Sequence, residues 1–359
     1  MPPTTPEWFG NVRILFTRRM ALDVPDGINV FIFAMAQALI LRGHEVLVVC
    51  SSLPDLEEID RLFSPLNRPR LVGLSSRNLR TAADHVRPWV GRLDVVREFN
   101  PDVSVINGAI PVRLPGRSII IAHDVEARGF GGFRWLYKKW TYSLADSVFA
   151  TCTEIRDSLE DTFPEFRPVG VLPTCVAVDR YAPRTRSERE PAILHLGTAP
   201  YKRAEATLDA FARMKEHARL LVTGPVTPAV AAALQALSPE KRSKVDMLGF
   251  VSAERLVGLL GTVMAVSVPS VYRVPVCSPT VLESFASGTP VVTGFSITAD
   301  VVQHGRNGYL CSTTKEMAAA MDWCIADHED WTRASAEARA TAKRFSSDTV
   351  AQRLLDEVS

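Results

Sequence analysis

Short apolar runs alternate with longer polar or amphipathic stretches along most of the chain. Residues 12–16 read VRILF, and they are followed by a polar loop, a long apolar run at 28–41 and a second short run at 45–50. A buried strand, a helix and another buried strand make a βαβ unit, which requires a parallel sheet. Further strand-length runs occupy 101–108, 117–124 and 147–152. The pattern therefore predicts an α/β domain.

The same alternation starts again after a polar stretch. Residues 179–191, DRYAPRTRSEREP, have the composition of a linker. Strand-length runs then recur at 192–197, 219–224, 244–250, 265–270 and 289–294. We expect two Rossmann-like βαβ domains facing a cleft, at 1–178 and 179–338, and a segment 339–359 that packs back on the first domain. Residues 332–358 are predicted to be helical throughout.

Composition narrows the class of protein. A chain of 359 residues suits two domains rather than one core. Its formal net charge of +1 gives no general attraction to nucleic acid. The six cysteines are scattered without a CxxC pair, which argues for reduced, buried thiols in a cytoplasmic protein and against a zinc site or disulfides. The start of the chain lacks the pattern of a signal peptide, and the run at 28–41 is too short to span a bilayer.

Two Rossmann-like domains raise the possibility of a dinucleotide cofactor. No GxGxxG follows any predicted strand, so an NAD-linked enzyme is disfavoured.

A series of short motifs, none specific alone, together resembles the family-4 retaining glycosyltransferases of the GT-B fold, bacterial type. They are DG at 26–27, RGHEV at 42–46, NPDV at 100–103, AHD at 122–124, ADSVFATCTEIRDSL at 145–159, LHLGTAPYKR at 194–203, LGFVS at 248–252, the segment 269–292 and HGRNGYL at 304–310. The resemblance implies transfer of a sugar from a nucleotide-diphosphate donor to a hydroxyl of a glycan, lipid or natural-product acceptor. It implies retention of configuration, no metal and no cofactor, since the nucleotide sugar is a substrate.

The resemblance places the donor phosphates and ribose at the segment 269–292. Ser278 is a good N-cap and Pro279 suits the first helical position, which leaves the amides of Thr280 and Val281 for phosphate oxygens. Glu283, one turn further on, is implied to accept hydrogen bonds from the ribose hydroxyls. An ordinary helix start and a solvated glutamate are the alternatives.

A cation is implied at the loop after the strand at 192–197. Lys202 is the predicted phosphate ligand and a catalytic residue. Relatives often carry an arginine where this chain has Thr198, so either Arg203 supplies a second charge or the site is less cationic. An exposed Lys-Arg pair is the alternative.

Three residues complete the predicted site. His123 ends a strand, where ligands gather in open α/β sheets, and the resemblance places it beside the donor sugar as the second catalytic residue. A histidine satisfied within the core is the alternative. Gly27 allows close backbone approach in the first βα loop. Val251 joins the donor site with its motif.

One position departs from the family pattern. Relatives commonly carry two glutamates eight positions apart, and counting back from Glu283 gives Pro275. We expect an active enzyme whose donor sugar does not need the lost carboxylate, such as a deoxy or modified hexose. An acidic sugar paired with Arg273 is the alternative. A catalytically silent GT-B binding protein and a sugar-nucleotide epimerase are the competing functions.

The first predicted domain contains a basic segment. Residues 61–140 hold 14 Lys and Arg against 6 Asp and Glu, and they include the run RGFGGFRWLYKKW at 128–140. Solvated arginines with core aromatics, an anionic acceptor, and peripheral contact with the inner face of a membrane all fit this charge.

Overall fold

The structure is a computed structural model that describes residues 10–19, 22, 26–53, 68–75, 89, 93–124, 133–272, 274–326 and 329–358. The chain divides into two compact units. Unit 1 comprises Met1–Thr151, Arg156–Leu172 and Ala351–Ser359, and unit 2 comprises Cys152–Ile155 and Pro173–Val350. Each unit is built on one parallel sheet, as predicted.

The sheet of unit 1 has the order β3-β2-β1-β4-β5-β6-β7. Its strands are β1 Arg13–Arg18, β2 Glu45–Ser52, β3 Arg70–Ser75, β4 Val103–Asn107, β5 Arg117–Ala122, β6 Ser147–Ala150 and β7 Gly170–Val171. All the strands predicted in this half are present, and β3 and β7 were not predicted. Since β1 has β2 on one side and β4 on the other, the strand order reverses beside β1.

Helices of unit 1 cover the sheet. They are α1 Gly27–Leu41, α2 Asp94–Phe99, α3 Phe133–Tyr142 and α4 Thr153–Thr162, whose first turn belongs to unit 2. The side chain of Asp26 caps α1 by accepting from the amides of Ile28 and Asn29. Most of α1 is apolar and buried, as its sequence predicts. None of the helices among the described residues is both long enough and apolar enough to cross a membrane.

The sheet of unit 2 has the order β10-β9-β8-β11-β12-β13. Its strands are β8 Glu190–Leu196, β9 Arg219–Thr223, β10 Val245–Gly249, β11 Val263–Val268, β12 Val291–Thr293 and β13 Gly308–Leu310. The five predicted strands are present, and β13 was not predicted. Here the strand order reverses beside β8, which has β9 on one side and β11 on the other.

Helices of unit 2 follow the same alternation. They are α5 Ala204–Arg213, α6 Pro228–Ala236, α7 Pro239–Arg242, α8 Ala253–Thr262, α9 Pro279–Ala286, α10 Thr314–Ala326 and α11 Glu329–Arg344. The two units share α12 Ser347–Val358, of which residues 347–350 belong to unit 2.

The prediction of one continuous terminal helix is wrong. The helix stops at Arg344, and Ser346 caps a new one, its Oγ accepting from the amide of Thr349 at 3.1 Å. A serine that can bond to a nearby backbone amide favours such a restart over continuation. The last part of α12, from Ala351, belongs to unit 1, and the domain bounds stay a prediction.

The segment predicted as a linker is packed against unit 2. Arg189 is buried, and its guanidinium donates to the carbonyl of Val263 at 2.8 Å and to Thr289 Oγ1 at 2.6 Å. It also lies over the ring of Trp331, 5.0 Å from the centroid. Burial lowers the pKa of Arg189 to about 10. The polar composition of this segment predicts an exposed arginine. Arg189 is buried instead, because backbone carbonyls accept its hydrogen bonds.

Candidate active site

The carboxyl ends of β8 and β11 form the switch point of the sheet in unit 2. Loops that leave two neighbouring strands toward opposite sides open a crevice, and open α/β sheets bind ligands there. Residues 197–203 follow β8, and residues 269–278 follow β11 and lead into α9. Most of the predicted donor residues lie on these two segments and on α9: Thr198, Lys202, Arg203, Ser278, Pro279, Thr280 and Glu283.

The two loops are joined to each other. The amide of Val271 donates to the carbonyl of Tyr201 at 2.8 Å. The rings of Tyr201 and Tyr272 have centroids 5.8 Å apart. These contacts fix the loop that carries Lys202 against the loop that leads into α9.

Lys202 ends a 3₁₀ turn, Pro200–Lys202, and its side chain folds back over Gly197. A Cβ added to Gly197 would lie 3.2 Å from the Lys202 Nζ, and the φ of Gly197 is +82°. Burial lowers the pKa of Lys202, and the carboxylate of Glu283 opposes that shift. Among the described residues, no acceptor lies within hydrogen-bond distance of Nζ. This half-buried ammonium is therefore suited to an anion from outside the protein.

Glu283 is the anionic counterpart on α9. Its Oε1 accepts from the hydroxyl of Tyr181 at 3.0 Å, and the described residues provide no donor to its second oxygen. Burial raises the pKa of Glu283, while Tyr181 and the charges of Arg180 and Lys202 act against that rise. One carboxylate oxygen is thus held and the other is left for a ligand.

Tyr181 was missed by the sequence analysis. It is buried, and its pKa is raised by burial and then by the neighbouring charge of Glu283. It lies in the segment interpreted as a linker. An aromatic residue in an otherwise polar stretch was the available signal.

The start of α9 differs in one detail from the prediction. Ser278 is the N-cap residue and Pro279 the first helical residue, but the Ser278 side chain makes no capping hydrogen bond. The amide of Val281 donates to the carbonyl of Ser278 at 3.1 Å, so the prediction that this amide is free is wrong. A tight first turn satisfies it locally. The amides of Ser278 and Thr280 have no acceptor among the described residues.

Thr198 and Arg203 both have partners within the protein, and their contact with the donor stays a prediction. Thr198 is buried, and its Oγ1 donates to the carbonyl of Pro225 at 2.8 Å, which braces the β8 loop against the β9 loop. Arg203 is exposed, has a left-handed backbone, and its Nε lies 3.7 Å from Glu205 Oε1. Lys202 is therefore the principal cation that the β8 loop directs inward.

Val251 lies at a third edge of this unit, directly after β10. It is half-buried, between Phe250, whose exposed fraction is 89%, and Ser252, which caps α8. Contact of Val251 with the donor stays a prediction.

A buried chain of side chains supports the loop below Lys202. Ser267 Oγ lies 2.8 Å from Thr207 Oγ1, which lies 2.9 Å from His195 Nδ1, and His195 Nε2 lies 2.9 Å from the carbonyl of Gly197. Burial lowers the pKa of His195 to about 4, so the ring is neutral and donates to Gly197. Sequence reasoning missed this role, although a histidine inside the apolar run AILHLG was a signal.

The loop that carries Pro275 is anchored on both sides. The carbonyl of Pro275 accepts from the Cys152 thiol at 3.3 Å, and Val276 pairs with Ile297 in a short bridge. The position of the family glutamate therefore contributes only a proline ring and a carbonyl that is already bonded. Arg273, the alternative partner for an acidic sugar, lies outside the described residues.

His123 lies in unit 1, directly after β5. Its Nε2 is 2.8 Å from Asn107 Oδ1, and its ring contacts the ring of Phe31 edge-on, with centroids 5.4 Å apart. Burial and the nearby charge of Arg18 lower the pKa of His123 to about 3, so the ring is neutral at physiological pH. It is half-buried at the carboxyl edge of the sheet, and its position beside the donor sugar stays a prediction.

Gly27 is the first residue of α1. The preceding Asp26 already bonds to the amides of Ile28 and Asn29, and it pairs with Arg18 at 2.5 Å. An anionic group of the protein therefore occupies most of this helix terminus. Close approach of a ligand to Gly27 itself stays a prediction.

The cysteines and acidic residues form no evident metal site. All six cysteines are free and buried, as predicted. In the described part of the chain, no three His, Cys, Asp or Glu side chains come together in a group that could hold a metal ion.

Two parallel sheets of this topology, each with polar groups at its switch point, are typical of the GT-B fold. Two family profiles match the chain: Glycosyltransferase Family 4 over residues 25–180, and Glycosyl transferases group 1 over residues 190–327. The chain belongs to this group 1, family-4 type of glycosyltransferase. No curated protein sequence matches it.

Solved structures agree on the fold. HepE from Anabaena, crystallised with UDP and glucose, is 17% identical, with 97% of this chain and 99% of HepE covered and a TM-score of 0.74. Sucrose-phosphate synthase from Thermosynechococcus elongatus is 16% identical over 97% of this chain and 98% of its own, at 0.75. A glycosyltransferase from Rickettsia africae is 14% identical, covers 98% of both chains and also scores 0.75. At these identities the likeness establishes the GT-B fold.

Proposed function

We propose that this protein is a retaining glycosyltransferase that moves a sugar from a nucleotide-diphosphate donor to an acceptor hydroxyl without a metal. The observation that carries the proposal is the half-buried Lys202 ammonium at the switch point of unit 2, which has no protein acceptor within reach among the described residues. Glu283 lies near enough to shift the pKa of Lys202, and the described residues provide no donor to its second carboxylate oxygen. A cation for phosphate and an acceptor for a diol are the two groups that a nucleotide sugar requires.

Each group has a distinct role in the proposed reaction. Lys202 and the amides of Ser278 and Thr280 neutralise the departing diphosphate. The free oxygen of Glu283 accepts from the ribose hydroxyls. The bond between the anomeric carbon and the phosphate oxygen breaks, and the acceptor oxygen forms a bond to the anomeric carbon. In this front-face attack the departing phosphate oxygen accepts the proton of the acceptor hydroxyl. A short-lived double displacement is the alternative route to retention.

The donor is proposed to be a UDP-sugar, because HepE, with the same fold, was crystallised with UDP and glucose. The neutral His123 is proposed to hydrogen-bond a sugar hydroxyl near the reacting centre. The acceptor belongs to the glycans, lipids or small natural products, and an uncharged imidazole suits the hydroxyl that all three offer.

Slow donor hydrolysis tests the proposal. The protein is incubated without acceptor with a panel of nucleotide sugars that includes UDP-glucose and deoxy and acidic analogues. Release of nucleoside diphosphate from one donor, lost in Lys202→Met, is the expected result. Conversion of the donor to another nucleotide sugar would instead identify an epimerase. The anomeric configuration of the product formed with an added acceptor, read by NMR, decides between retention and inversion.

A catalytically silent binding protein is the second candidate, and Pro275 favours it. A proline stands where relatives commonly carry a glutamate, and its carbonyl is already bonded to Cys152. This candidate predicts that a nucleotide sugar raises the melting temperature without being hydrolysed. Turnover by the wild-type protein in the same panel would contradict it.

A peripheral membrane contact through unit 1 is also proposed. Helix α3 exposes Leu136 and Trp140, one turn apart, with exposed fractions of 57% and 49%. Apolar side chains beside lysines fit an anionic bilayer surface. The protein should sediment with vesicles of anionic lipid, and Leu136→Glu with Trp140→Glu should abolish this. Equal sedimentation of the double variant would exclude α3 as the contact.

A further inference from the structure

Asn107 presents two unlike ends at the carboxyl edge of the sheet in unit 1. Its Oδ1 lies 2.8 Å from His123 Nε2. Its Nδ2, at the other end of the amide, is buried and has no hydrogen-bond partner. The side chain as a whole is fully buried, with an exposed fraction of 0%. A buried donor without an acceptor costs stability, so its retention points to a role other than packing.

The contact fixes which nitrogen of His123 carries the proton. A carboxamide oxygen can only accept, so Nε2 must donate to it. The imidazole is neutral, and its Nδ1 is therefore an unprotonated acceptor. No described residue occupies Nδ1, while the edge-on ring of Phe31 limits rotation of the imidazole.

We infer that Asn107 is a positioning residue, which holds His123 in the Nε2–H tautomer so that Nδ1 accepts a hydrogen bond from a substrate hydroxyl. The identity of the substrate hydroxyl rests on the proposed function, whereas the tautomer of His123 does not. It assigns the bond-accepting atom of His123 and excludes the ring as a proton donor to a phosphate or sugar oxygen through Nδ1.

The amide of Asn107 adds no charge beside the imidazole. Among the described residues, Arg18 of β1, which pairs with Asp26 before α1, lowers the pKa of His123, and the neighbouring Asp124 lies 3.8 Å from Lys138 of α3. A carboxylate in place of Asn107 would favour the imidazolium, because an opposite charge at hydrogen-bond distance favours the charged form of a base.

The tautomer is tested by NMR of ¹⁵N-labelled full-length protein. His123 is one of seven histidines, and His123→Gln identifies its ring signals by their loss. The expected spectrum has Nε2 protonated and Nδ1 bare, unchanged from pH 8 down to pH 5. A protonated Nδ1 in the wild-type protein would overturn the inference without any variant.

Two substitutions separate positioning from packing. Asn107→Ala should give a mixture of tautomers and lower kcat about 100-fold, as misplacement of a reacting group does, with donor KM little changed. Asn107→Asp should raise the His123 pKa from about 3 by up to about 3 units and give kcat an acid limb at that raised pKa, with activity recovering above it. Ser104→Ala is the control, since it removes another buried hydrogen bond of β4, 2.6 Å to the Pro115 carbonyl.

The outcomes distinguish this inference from the proposed function. If Ser104→Ala lowers kcat as much as Asn107→Ala at equal loss of stability, Asn107 acts only through packing and the inference fails. If the tautomer is as expected but every Asn107 variant keeps wild-type kcat, the positioning role fails and the proposed function stands. If the wild type turns over no donor, the proposed function fails, and the spectrum alone decides the tautomer.

Discussion

Replacement of Lys202 by methionine removes the ammonium and keeps most of the side-chain volume. The charge lies in a half-buried position where burial lowers its pKa. At an effective dielectric constant of about 20, a unit charge about 4 Å away interacts with the ammonium by about 4 kcal/mol. Only the charge that develops as the sugar–phosphate bond breaks counts toward kcat. The loss should therefore be about 3 kcal/mol, or at least about 100-fold in kcat.

The same substitution should not destabilise the fold. A lysine pKa below 10.5 in the folded state means that folding disfavours the charged form. The contribution of Lys202 to stability is present above pH 10.5 and is lost as the pH falls through the folded pKa. At pH 7 the methionine variant should melt at the same temperature as the wild type or above it. Residues of functional sites often lower the stability of the fold while they support turnover.

The assay is donor hydrolysis and transfer, followed beside thermal melting. The control is Lys241→Met, because burial also lowers the pKa of Lys241, which donates to the Met214 carbonyl at 2.8 Å outside the crevice. The control should keep kcat within about twofold. A near-normal kcat in Lys202→Met, or an equal loss in Lys241→Met, would refute the role of Lys202.

Three further substitutions test the rest of the site. Glu283→Gln should raise donor KM by about 10-fold or more, because a hydrogen bond to a charged group contributes about 1.5–3 kcal/mol. The change in kcat should be smaller, because ribose contacts are similar in the ground and transition states. Since burial raises the pKa of Glu283 above 4.5, wild-type donor affinity should weaken as the pH falls through that pKa, and titration of the glutamine variant should show no such limb. Tyr181→Phe removes a bond that lowers the Glu283 pKa, so the acid limb should move to higher pH; an unmoved limb would mean that Tyr181 only packs. Pro275→Glu should shift preference from a deoxy or modified hexose toward an ordinary UDP-hexose, measured by donor competition, and a wild-type preference for the ordinary hexose would contradict the specificity claim.

The sheets were predictable because their signals are local. Apolar runs such as 45–50 and 263–268 are buried on both faces of a parallel sheet, and burial of that kind needs no alternation. β13 was missed because three residues that start with a glycine give no run to detect. The break before α12 was missed because one serine cap outweighed a helical pattern on both sides.

The site was predictable only where a residue type carries the chemistry by itself. Lys202 is a cation in the loop that follows an apolar strand, and Glu283 is a lone charge inside an otherwise apolar helix. Tyr181, His195 and Asn107 acquire their roles from partners far away in sequence: the Tyr181 bond to Glu283 spans 102 residues. Periodicity cannot report such a contact, since it describes faces of single elements and not their neighbours.

The arrangement around Glu283 also explains how the site can operate with one carboxylate fewer than its relatives. The charge that Glu283 bears is disfavoured by burial and is supported by Tyr181, Arg180 and Lys202. A second glutamate at position 275 would add a negative charge to the same loop, and it would compete for the Lys202 ammonium that the diphosphate requires. The proline leaves that ammonium to the leaving group and fixes its own loop through the carbonyl that Cys152 bonds. Under the proposed function, loss of the carboxylate would remove a contact to the sugar and keep the electrostatic stabilisation of the diphosphate, which is the larger contribution to the rate.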